Sequence, residues 1–320
     1  ARGPRRARSR APARCPPAWG MRPGAAGAAT VGWAVPLRRR AMRVFVAPAD
    51  IFRNPQAVFC LFEKPSKREE SPFDLELATG GGDFAIMGMH FKLGLYEHQS
   101  AGAIGGLISL LASHPQLLAD WQQLTKIRIT IYEPAFSIIG DPHKRDPRTR
   151  QSADHSMVYI IATLLRKAIE RATSVTSPAR PHDEISLWQD LILLPADYDD
   201  AALFHPITRE LMSRIEFIHG GEEYDRKYPD GIPTTIELVH ASQGALSSGL
   251  VMYPQGHARC EGTHLATLLG AKFERLTENA VTDVSALYRR FSTLGEKSAE
   301  EIRTLYDFAF AQQRAFPVTE

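Results

Sequence analysis

The sequence has few cysteines, no long apolar run, and no acidic residue near its start. The 320-residue chain carries three cysteines, Cys15, Cys60 and Cys260. They are too sparse for a disulfide scaffold and stand at no metal-ligand spacing, so a reducing compartment is expected. No uninterrupted apolar stretch approaches the roughly 18 residues that a membrane-spanning helix needs, and no membrane partner is expected. A net charge of only +2 is too weak a field to point to nucleic acid. Gly80-Gly81-Gly82 lacks the lysine and Ser/Thr that would follow in a phosphate-binding loop. No internal repeat is visible. The first acid is Asp50, and eleven arginines precede it.

What is present fits a globular protein. Hydrophobic residues make up 44% and charged residues 23%, and the length suffices for two ordinary domains. Residues 1–43 are Pro/Gly/Ala-rich and lack periodic apolar residues, so they read as a disordered basic leader. An arginine-rich, acid-poor leader resembles a mitochondrial transit peptide. A fragmentary start and a basic arm for nucleic acid are the competing readings.

Ser100–Leu111 is a run of small and apolar residues that predicts a buried helix, with a short second helix near Gln116–Trp121. Lys126–Glu133 alternates, with Ile127, Ile129 and Ile131 on one face, and predicts a half-buried strand ended by Pro134. Ser152–Ala172 carries a helical apolar stripe, with Ser152 or Asp154 as its cap. Residues 174–182 read as a linker and Pro206–Ser213 as a helix. Arg214–Ile218, Thr234–Val239 and Gly249–Tyr253 read as strands, with turns at Gly220-Gly221, Pro229–Gly231 and Ser242–Gly244. Helices are expected near 264–273, 283–292 and 298–312. Segregated helices and strands predict an α+β fold.

The stretch with the most chemistry is Asp146–Leu165. A proline-broken basic loop holding Arg145, Arg148 and Arg150 runs into Ala153-Asp154-His155-Ser156, and an apolar helix follows. Unpaired N–H groups at a helix start attract anions. The expected ligand is a negatively charged small molecule beside a histidine.

Three stretches carry a family resemblance: Met89–Ser100, Asp146–Tyr159, and Tyr253-Pro-Gln-Gly-His-Ala-Arg259. Together they look like the signature segments of the 2-methylcitrate dehydratases of the MmgE/PrpD family, most closely the eukaryotic mitochondrial type. The resemblance covers roughly Phe45–Phe310. It implies a hydro-lyase that converts 2-methylcitrate to 2-methyl-cis-aconitate in propionate catabolism (the methylcitrate cycle), in the mitochondrial matrix and without a cofactor. Two alternatives stay open: a cis-aconitate decarboxylase-like enzyme, and a catalytically inactive truncated homologue. The implied fold is an all-α helical domain with a smaller α+β lid built on a mainly antiparallel sheet. The lid would be 122–261. The helical domain would be 44–121 with 262–320, and incomplete, since only about ninety residues precede Lys92. The expected partners are a small tricarboxylate and a second copy of the chain in a homodimer.

Dehydration needs a base for a proton beside a carboxylate, an acid for the leaving hydroxyl, and cations for the carboxylates. His98 and His155 suit proton transfer, because an unperturbed imidazole titrates near pH 6.5. Lys92 and Asp154 complete the expected catalytic set, Asp154 as cap and orienter of His155. Arg148, Arg150, His257 and Arg259 are the expected carboxylate binders, arginine being able to bind bidentately. No metal ligand set is expected. Each residue has a structural alternative: His98 as a helix cap, Lys92 and the arginines as solvated charges, His257 as a hinge residue.

Overall fold

In the computed structural model, residues 36–40, 42–43, 88–174, 183–262 and 264–311 are described. The chain divides into two compact units, Ala1–Thr79 and Gly80–Glu320. In the first, 36–40 form an exposed helical turn and 42–43 an exposed turn; the other residues of the expected leader lie outside the described residues.

Helices and a small sheet make the second unit an α+β fold. Strands β1 (Leu124–Ile131), β2 (Ile215–His219), β3 (Thr234–His240) and β4 (Gly244–Ser247) form one sheet in the order β2-β1-β3-β4. β1 runs parallel to β2 and antiparallel to β3, and β3 is antiparallel to β4, so the sheet is mainly antiparallel as expected. Alternation puts Ile127, Ile129 and Ile131 in the core. A bulge between Leu124 and Lys126 resets the register, so that Leu124 also points inward, three residues before Ile127. The opposite face is a charge ladder. Lys126 Nζ lies 2.6 Å from Glu216 and Arg128 donates to Glu237 at 2.7 Å, each across a strand boundary.

The helices are α1 (Ala101–Ser113), α2 (Glu133–Ile138), α3 (Arg150–Ala153), α4 (Met157–Thr173), α5 (Glu184–Leu191), α6 (Asp200–Leu203), α7 (Pro206–Ser213), α8 (Gly221–Asp225), α9 (Leu265–Thr277), α10 (Val284–Phe291) and α11 (Ala299–Arg303). α1 packs on β3. It comes close because Gly102 and Gly106 face the strand. A Cβ on Gly102 would meet Thr234 Oγ1 at 2.4 Å and the Ile232 carbonyl at 2.9 Å. α4 is buried on nearly every side and packs against α1, α5 and α7, which makes it the central helix. Two of its polar side chains converge on Asp197: Lys167 Nζ donates to its carboxylate at 2.6 Å, and the Tyr159 hydroxyl donates to its carbonyl at 2.6 Å. One core cluster contains side chains from Leu93 to Leu268, including residues on both sides of position 121. No helix among the described residues is long and apolar enough to cross a membrane.

Several local expectations are corrected. The single helix expected over Ser152–Ala172 is broken at Asp154–Ser156. Ser156 takes an extended backbone and caps α4, accepting from Tyr159 N–H at 3.3 Å while its own hydroxyl donates to the Lys144 carbonyl at 2.6 Å. Ser152 instead closes a capping box with Thr149 on the short α3. Gly249–Tyr253 is not a strand. Gly249 sits at φ +66 and interrupts the run, leaving one bridge between Val251 and Thr234. β4 starts at Gly244, where a turn ending was expected. β1 stops at Ile131, short of the expected end at Pro134; Glu133 and Pro134 instead open α2, where the proline's missing N–H costs nothing. The linker expected at 174–182 lies outside the described residues except for Ser174.

The close approach of α1 gives a paired prediction. Gly102→Ala should destabilise the protein by about 1–3 kcal/mol, through the clash with Thr234 and the Ile232 carbonyl. Gly270→Ala, inside α9 with nothing within 4 Å of the added Cβ, should stabilise by up to about 1 kcal/mol through helix propensity. Chemical denaturation of the two variants beside the parent checks both signs.

Candidate functional site

Two segments far apart in sequence meet through their backbones. The Phe91 N–H donates to the Gly256 carbonyl at 2.7 Å. Gly256 lies at φ +91, and a Cβ there would meet the Phe91 carbonyl oxygen at 2.1 Å, so the junction demands glycine. The junction stacks three imidazoles. The His90 ring lies 3.9 Å from that of His257 and 5.8 Å from that of His98, centroid to centroid. With Lys92, Tyr96, Pro254 and Gln255 they line a cleft of about 10 Å³, roughly the space of one water.

The turn after Pro254 sets the tautomer of two rings. The Ala258 N–H donates to His90 Nδ1 at 3.0 Å, and the Arg259 N–H donates to His257 Nδ1 at 3.1 Å. A backbone N–H can only donate, so in the neutral form of each ring the hydrogen resides on Nε2. His257 is 5% exposed. Burial, then the neighbouring His90, His98 and Arg259, push its pKa down to about 4, against a smaller opposing pull from Asp230. His98 is lowered as well, by burial first and then by His90 and Lys92.

His98 does not cap a helix. That task falls to Glu97, whose carboxylate accepts from the Gln99 N–H at 2.6 Å and from the Ser100 hydroxyl at the entry to α1. Glu97 is 4% exposed, and burial raises its pKa. The two hydrogen bonds oppose that rise, as do Lys92 and His155, both within electrostatic reach. The buried carboxylate is thus within electrostatic reach of both Lys92 in the cleft and His155. Asp154 Oδ1 faces His155 Nδ1 and orients the ring. His155 lies in the turn between α3 and α4, before the α4 cap, and not in the helix's first turn.

The expected site residues thus separate into groups. Lys92, His98 and His257 line one cleft. Arg259 stands two residues beyond His257 and is paired with Asp230, which also accepts from the Tyr253 hydroxyl at 2.6 Å. Asp154 and His155 are not among the residues lining that cleft. Arg148 and Arg150 do not line the cleft. Arg148 is bound to Asp146 at 2.6 and 2.9 Å, and Asp146 also accepts from Arg209 at 2.8 Å. Arg150 sits in α3. Sequence reasoning missed His90 and Glu97. His90 stands two residues before Lys92 in the same stretch, and Glu97 is the one acid in an apolar segment, which was the available signal. Among the described residues no group of three or more His, Cys, Asp or Glu is arranged to hold a metal ion. No protein-family model matches this chain, and no curated protein matches it.

The neutral His257 has a pH consequence. Between its ordinary value of 6.5 and its folded value of about 4, the unfolded chain binds the extra proton, so stability falls as pH drops through that window. His257→Gln should lose less stability than the parent between the two ends of the window, measured by urea denaturation. An NMR titration should place the His257 midpoint near 4; a midpoint at the ordinary value would contradict the assignment.

Proposed function

We propose that this chain is a hydro-lyase of the 2-methylcitrate dehydratase type, removing water from 2-methylcitrate to give 2-methyl-cis-aconitate. The observation that carries the reading is the grouping of His98 and Lys92 with His257 in one cleft, with buried Glu97 linking them electrostatically to His155. His98, with its pKa lowered, is neutral at physiological pH and free to take the proton beside a carboxylate. His155, its Nδ1 held by Asp154, has Nε2 left to pass a proton to the departing hydroxyl. Lys92 at the exposed mouth of the cleft suits a carboxylate, with Arg259 nearby once it is released from Asp230. A homodimer in the mitochondrial matrix, serving propionate catabolism, is the setting that goes with this proposal.

The test is direct. Purified protein is mixed with 2-methylcitrate, and the absorbance of the conjugated product is followed. Turnover is expected, and His98→Gln and His155→Gln should each lower kcat by about 100-fold or more, the usual weight of a general acid or base. A folded sample with no turnover sinks the proposal. Carbon dioxide released from cis-aconitate, without dehydration of 2-methylcitrate, would replace it with decarboxylation.

A further inference from the structure

We propose that His90 and His257 form a two-donor clamp for a single carboxylate group of a small organic acid. The inference rests on reading the cleft as a carboxylate site and adds a residue, His90, with a defined task.

Three observations converge. The ring centroids lie 3.9 Å apart at an angle of 34°, and the two rings are held by the N–H groups of consecutive residues. Each Nδ1 is occupied by a backbone N–H from one turn, at 3.0 Å for His90 and 3.1 Å for His257, which leaves Nε2–H as the only polar hydrogen each ring can offer. No carboxylate is among the residues lining the cleft, while His98 and Lys92 are. The nearest acid known to influence His257 is Asp230, and its oxygens are engaged by Arg259 and the Tyr253 hydroxyl. The cleft is therefore rich in donors and short of anionic acceptors. Two adjacent N–H donors suit the two oxygens of one carboxylate, and Lys92 supplies the charge. The turn carrying Ala258 and Arg259 cannot shift easily, because Gly256 is locked against Phe91. The donors are thus held in place before any ligand arrives, which lowers the ordering cost of binding.

The experiment uses the full chain and propane-1,2,3-tricarboxylate, which lacks the hydroxyl that dehydration removes. Nitrogen-edited NMR of the imidazoles is recorded as the acid is added, with its neutral trimethyl ester as control. The acid should shift the Nε2 resonances of His90 and His257, and the ester should not. His90→Phe keeps a ring on His257 but removes the donor, and should weaken binding by about tenfold or more, the weight of one hydrogen bond to a charged group. His90→Gln restores an N–H near the same place and should bind within about threefold of the parent. Parent-like binding by His90→Phe, or acid-induced shifts confined to other histidines, would overturn the clamp. Shift mapping on the parent decides the matter even if a variant fails to fold. Clamp shifts without turnover of 2-methylcitrate would keep this inference and remove the dehydratase reading. Turnover without shifts at His90 and His257 would do the reverse.

Discussion

Helix α1 meets strand β3 at a separation that Gly102 and Gly106 permit and larger residues would not. Much of the unit depends on that contact. It presses the apolar face of the sheet against a helix and closes one side of the core. It also determines where α1 begins. The segment entering α1 carries Tyr96, Glu97 and His98, so seating the helix on the sheet places these three side chains at the core's edge. Tyr96 and Glu97 are buried by this, and His98 is left half-covered beside the cleft. A second glycine contact, Gly256 on Phe91, brings His257 alongside His90. The candidate site is thus a product of two close backbone approaches.

The electrostatics follow from the packing. A carboxylate at 4% exposure is costly unless its oxygens are satisfied, and Glu97 accepts from both Gln99 and Ser100. Its field reaches both Lys92 and His155. Burial first, and then the neighbouring imidazoles, disfavour positive charge on His257 and His98. These two rings therefore favour the neutral form, which suits proton abstraction. By contrast, Arg148 of the loop before α3 is structural: it and Arg209 of α7 converge on Asp146 and pin the loop.

A large part of this was legible beforehand. The alternation of Ile127, Ile129 and Ile131 announces β1, because period-two apolarity can bury only on one face of a strand. Pro206–Ser213 is a helix over the range its proline start suggests. Other features were hidden for definite reasons. The break between α3 and α4 arises because the Ser156 hydroxyl finds the Lys144 carbonyl, twelve residues upstream, and local pattern cannot register such a bond. β4 has an exposed, irregular burial pattern, and without a buried face there was no alternation to read. His98 and Lys92 were candidates from their own stretch, but His90 acquires interest only through His257, 167 positions further on.

Local sequence by itself determined the α+β character, the strand faces, most helix positions and the residue types available for acid–base work, since each depends on periodicity or on a side chain's intrinsic chemistry. Tertiary structure alone decided which of those residues meet. It placed His257 on His90, set the imidazole tautomers through Ala258 and Arg259, buried Glu97 within reach of Lys92 and His155, and drew Arg148 away to Asp146. The reason is physical: hydrogen bonds and electrostatic fields act over a few ångströms, and only the folded chain brings distant positions within that range.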